Sequence, residues 1–162
     1  MRFRLATAGV VVVVLGAAAV AGMRWSTAGE PVWVAAPSAA STVLPEGANY
    51  ETVVDTRAAS VFDDLHNDRG VPRVQTYAMP PVTTWDQVRS AVAGQLDGWT
   101  EVGDCVDTGE RQVQCSWSEP TRWWPRLVRI VFLRPPAPGA ADAHVWPDNT
   151  FLVIGSARGA NR

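Results

Sequence analysis

Lysine is absent from this 162-residue chain, and all 14 basic side chains are arginine. Schiff-base chemistry and a lysine general base are therefore excluded. The abundant alanine beside this arginine-only set fits the coding bias of a GC-rich genome. Selection for forked, planar donors that grip carboxylates or phosphates is the alternative. Cysteine and histidine are scarce, with two of each. An all-cysteine zinc site needs four ligands and a disulfide-dense scaffold needs more pairs, so both are excluded. Charge is sparse too: 19% of residues carry one and the net is −2, without the basic stripe of a nucleic-acid binder. Nucleophile elbows, phosphate-cradling glycine loops, zinc-ligand spacings and calcium loops do not occur. No cofactor is implied.

What is present is apolar. Hydrophobic residues make up 47% of the chain, which excludes wholesale disorder, and the length suits one domain. The longest apolar run stands at the N-terminus. Met1-Arg2-Phe3-Arg4 is a short positive region, and residues 5–23 follow without a charge. A helix of that length reaches roughly 28 Å, close to a hydrocarbon core of about 30 Å. Arginines precede the run and only Arg24 closely follows it, so the positive-inside bias puts the N-terminus in the cytoplasm and the rest outside. Ala19-Val20-Ala21 is a small-x-small site for signal peptidase, so cleavage near Ala21 and secretion is the alternative to a retained single-pass anchor. Either outcome delivers the body across a bilayer.

Residues 1–24 are thus expected to be an anchor or signal segment and 25–48 a linker. Pro31, Pro37 and Pro45 favour extended chain there, with Trp33 packing back on the domain in preference to standing exposed. An α+β domain is expected over 49–162, with one or two helices on an antiparallel sheet of four to five strands. Val53-Val54 suggests a short strand over 50–55. Ala58, Val61, Phe62 and Leu65 place a helix over 56–68, stopped by Gly70. Prolines at 72, 80 and 81 make 71–78 an edge strand. Thr84 with Gln87 forms a capping box, and Trp85, Val88, Ala91, Val92 and Leu96 form one apolar stripe ended by Gly98. Residues 99–106 and 112–117 read as a hairpin about Thr108-Gly109, followed by strands over 127–134 and 151–155.

Cys105 and Cys115 lie on the two arms of that hairpin, and outside the cytoplasm disulfides persist, so a Cys105–Cys115 staple is expected. A redox-active pair would usually stand two residues apart at a helix start. Asp63 and His66 share a helix face at a metal-compatible spacing, but His144 is the only other histidine and no metal site is expected. Glu101, Asp104, Asp107 and Glu110 would have to converge in pairs to serve hydrolysis.

Eight tryptophans are many for this length. Trp85, Trp99 and Trp117 suit the core of a small domain. Trp123 and Trp124 cannot both face inward on extended chain, since successive side chains point to opposite faces. Charge is divided as well: Glu30 to Glu110 holds four arginines against thirteen acids, and Arg111 to Arg162 seven arginines against three. Internal pairing between the two parts is favoured over one basic face offered to a partner. The leading functional expectation is a non-catalytic binding module at the bacterial cell envelope. It would meet a protein or envelope-polymer partner through Arg122, Trp123, Trp124, Arg126, Trp146 and the loop over 135–150, and touch the membrane through residues 5–23. The alternative is a small envelope-acting hydrolase using carboxylates near the disulfide hairpin.

Overall fold

The computed structural model describes residues 15–23, 30–45, 48–66, 71–120, 125–141 and 146–158. The chain forms two compact units, Met1–Glu30 and Pro31–Arg162. In the first, residues 15–23 form helix α1. Among the described residues no helix is long and apolar enough to cross a membrane. The anchor expected over 5–23 falls outside the described residues from 5 to 14.

The second unit carries helix α2 (Ala48–Leu65), strand β1 (Arg73–Met79), helix α3 (Trp85–Ala93), and strands β2 (Thr100–Val102), β3 (Gln112–Ser118), β4 (Arg126–Leu133) and β5 (Thr150–Arg158). The strands form one antiparallel sheet in the order β1-β5-β4-β3-β2. β2 to β5 is thus a meander, and β1 closes beside β5 as an edge strand, where its flanking prolines belong.

The two helices cover opposite faces, as the period-2 burial of the strands requires. On one face Leu152, Ile154, Val128, Ile130, Phe132, Val113, Cys115 and Trp117 pack against Trp85, Val88 and Val92 of α3. On the other, Phe151, Val153, Ala157, Val131 and Leu133 pack against Tyr50, Val54, Val61 and Leu65 of α2. The short strand expected over 50–55 is instead the start of α2. Tyr50, Val54, Ala58, Val61 and Leu65 recur at spacings of four, four, three and four, and burying that stripe outweighs the β preference of Val53-Val54. At α3 the capping box is present, with Thr84 Oγ1 accepting from Gln87 N at 3.3 Å and Gln87 Oε1 from Thr84 N at 3.0 Å. The helix ends a turn earlier than the stripe suggests, at Gly94, a poor helix former, and Leu96 reaches the core from the turn that follows.

Residues 31–45, which their prolines suggest as a linker, lie along the body as extended chain. Val34 is buried in the α3-side core, Val32 N donates to Ser156 Oγ at 2.7 Å, and the amide of Gln95 bonds both backbone groups of Ala35. At Ser41 this strap pairs with Ala78 on the outer edge of β1. Outside the turn closed by Ala40 N on Pro37 O, such extended chain leaves backbone groups free for these contacts.

Close approach of α2 to β5 requires glycine at position 155. A Cβ there would stand 2.6 Å from Leu65 Cδ1 and closer still to Val61 Cγ1. Gly155→Ala is expected to destabilise by about 1 to 3 kcal/mol, since Val61 has no flexible end to move aside. A urea midpoint shift with unchanged slope checks this.

Candidate functional site

Of the residues expected to form one contact patch, Arg126 and Trp146 are described, and they stand toward opposite ends of β4. Arg122, Trp123 and Trp124 lie outside the described residues. Arg126 opens β4, where its guanidinium grips Glu119 through two bonds of 2.9 and 2.8 Å and lies 5.8 Å from the ring centre of Trp99. Trp146 stands toward the other end of β4: it packs on Phe151, which pairs with Leu133, and eight residues of strand separate the two ends by about 23 Å. Its ring is 7% exposed, wedged against Tyr50 and Phe151, with the Arg111 guanidinium 4.4 Å from its centre. The indole N–H donates to Asn149 O at 3.2 Å. Trp146 therefore extends the α2-side core and presents little ring to a partner.

Trp33 is the opposite case. Its neighbour Val34 takes the buried place, and Trp33 is left 57% exposed with the Arg73 guanidinium 3.9 Å from its ring centre. Alternation along the extended strap explains this, because adjacent side chains point to opposite sides. A lone tryptophan in a proline-rich stretch gives no sign of which neighbour will be buried.

The Cys105–Cys115 disulfide is formed. It does not bridge two paired strands: β2 stops at Val102, where Gly103 takes φ 91°, and the chain leaves the sheet as a loop to Arg111. Cys105 lies in the α3-side core, and its carbonyl accepts from Trp85 Nε1 at 3.0 Å. The staple thus pins this loop to β3 over the end of α3. Glu101, Cys105 and Cys115 cluster closely enough for a metal, but sulfurs committed to a disulfide offer no thiolate. Asp63 and His66 gain no third ligand among the described residues, and His144 lies outside them.

Three of the four carboxylates near the staple, those of Glu101, Asp104 and Asp107, are occupied. Both oxygens of Glu101 accept from Arg89 at 2.8 Å. Asp104 Oδ1 caps the turn at Val106 N, 3.1 Å away. Asp107 Oδ2 accepts from Arg134, and its Oδ1 from Gly109 N at 2.9 Å. The Arg134 hydrogen bond, with the Gly109 amide next, holds the Asp107 carboxyl below its ordinary value. A general acid needs the reverse shift. Across the sheet Arg129 reaches Asp64 of α2 at 2.6 Å and Ser116 Oγ at 3.1 Å. Arg129–Asp64 and Arg134–Asp107 both join the arginine-rich part of the chain to the acid-rich part.

The Asp107 pair has a pH signature. Its folded value lies below the unfolded one of about 4. The stabilisation is therefore complete above roughly pH 4 and lost as pH falls through the folded value. Amides of the 103–111 loop are expected to exchange faster on acidification through that window, relative to their intrinsic rates. Asp107→Asn should flatten the response, and molar salt should weaken it because the pair is partly exposed.

Beside these residues lies a groove of about 600 Å³ between the loop and β3, with Arg57 of α2 on its rim. Asp104, Val106 and Glu110 line the loop wall, and Gln112 and Gln114 the strand wall. Only the loop residues and Cys115 could have pointed to it from the sequence, since Arg57 arrives from a distant helix. Compared with protein-family models, curated proteins and solved structures, the chain matches none.

Proposed function

We propose that this chain is a non-catalytic binding module of the cell envelope, held at the membrane or released from it, with its sheet domain outside the cytoplasm. The observation that carries the reading is the Cys105–Cys115 bond, a covalent staple of a kind that lasts in oxidising compartments and is rare in the cytosol. The uncharged run over 5–23 supplies the route across the bilayer. Binding is favoured over hydrolysis by the state of the acids: Glu101 and Asp107 are tied to arginines, and Asp107 is held more acidic than usual. The partner is a protein or an envelope polymer, met through Arg122, Trp123, Trp124 and Arg126, with the exposed Trp33 as a further aromatic contact. Planar aromatics beside guanidinium groups suit both kinds of surface.

Recovery of partners on the tagged full chain, compared with a Trp123→Ala/Trp124→Ala variant, tests the contact surface. Loss of recovery in the variant is expected. Unchanged recovery would remove that surface, and hydrolysis of a glycan or peptide that disappears in Glu110→Gln would favour an enzyme instead.

A further inference from the structure

Among the described residues Trp33 is the one tryptophan left exposed. It stands at a corner of the sheet. Its neighbour Val32 donates to Ser156 Oγ, and Ser156 pairs in register with Arg73, the first residue of β1. Arg73 lays its guanidinium over the indole and makes no ion pair among the described residues. Two residues before it Val71 is 68% exposed. The acids nearest to this corner along the chain are Glu30, which is exposed, and Asp68, which lies outside the described residues. A single exposed apolar side chain is ordinary on a protein surface. Here an indole, an unpaired cation and a valine come together where the strap enters the body.

Chain length says what lies within reach of that corner. Seven residues, 24–30, separate the uncharged run over 5–23 from the strap, and Trp33 follows Met23 by ten positions. Ten positions of fully extended chain cover about 35 Å. Trp33 therefore stays within that distance of the end of the run, and so short a tether gives a local concentration of order millimolar. We infer that, with residues 5–23 anchored, Trp33 and Arg73 dock on the headgroup layer of the same bilayer. An indole suits that level because its body is apolar and its N–H polar, the reason tryptophan is enriched at membrane interfaces. The arginine beside it offers forked donors to a lipid phosphate while its stem lies on apolar surface. Val71 adds apolar area next to the ring. A separate protein would find the same ring, but no tether holds one there, whereas the chain itself holds the lipid.

This docking rests on the membrane-held form of the proposed module and names what the Trp33 contact meets. The full chain in vesicles of phosphatidylcholine and phosphatidylglycerol is compared with Trp33→Phe, an exposed substitution that keeps an aromatic ring. The emission lost on substitution belongs to Trp33. It is expected to lose most of its intensity when the lipids carry bromine near the head of their acyl chains, and to escape quenching by aqueous acrylamide. Arg73→Glu should reverse both effects by setting a like charge against the phosphates. Docking is overturned if the chain floats with the vesicles while the Trp33 emission ignores the brominated lipid, or if Arg73→Glu leaves the quenching unchanged. Shielding from acrylamide without quenching by bromine would give the ring to a protein surface, a second copy included, and overturn it too. A chain that fails to float with the vesicles would refute the membrane-held form itself, and the docking with it.

Discussion

Trp85→Ala is expected to lower the unfolding free energy by about 3 to 5 kcal/mol, the usual cost of truncating a buried tryptophan. The side chain is 1% exposed and tilts against Phe132 at a centroid distance of 6.3 Å. It also opens α3 one residue after the Thr84 cap, so its loss loosens the helix where it docks. A second cost follows from the indole N–H. Cys105 O has Trp85 as its donor in a buried setting, and a carbonyl left there without one costs about 1 to 3 kcal/mol, part of which lies within the first figure. Trp85→Phe separates the terms, since it keeps most of the volume and removes the donor. Urea unfolding of both variants measures them, and a Trp85→Ala midpoint within error of wild type would refute this view of the α3-side core.

Reduction of Cys105–Cys115 is expected to cost about 2 to 3 kcal/mol, the chain-entropy value for a closed loop of this size. The two cysteines are ten positions apart and join a loop that has left the sheet to a strand at its centre of packing. Denaturant melts with and without reductant read the loss directly. The Cys105→Ser/Cys115→Ser variant should start at the lower stability and show no response to reductant. Loss of the bond also frees the loop wall of the groove, so faster amide exchange over 103–111 should accompany the shift. A midpoint indifferent to reductant would contradict the staple.

Much of the sheet domain is legible in the residues. The capping box at Thr84, the alternation of Val113, Cys115 and Trp117, the apolar run of β4 and the proline-flanked edge strand β1 each carry a local signal strong enough to survive folding. The fold class follows from them. The disulfide was legible as a pairing but not in its geometry, because its meaning depends on where β2 stops, and Gly103 decides that. Where local and long-range preferences compete, the pattern misleads. Val53-Val54 favours a strand in isolation and lies in a helix because Val54 faces β5 and β4. The proline-rich strap gains its place from partners some 60 and 124 residues away, Gln95 and Ser156, which no window of sequence contains.

The candidate site was less legible for the same reason. Trp146 and Arg126 share only a composition, aromatic beside arginine, and the fold sets them toward opposite ends of β4. The groove at β3 is bounded by a loop that has left the sheet, which arises only when one strand of a hairpin is shorter than the other.

Fusion of a reporter after Arg162 that becomes active only beyond the cytoplasmic membrane tests the central claim most directly. Strong activity from the full chain, lost when the run over 5–23 is deleted, is the result the account predicts. Activity confined to a reporter that works only in the cytosol would contradict it.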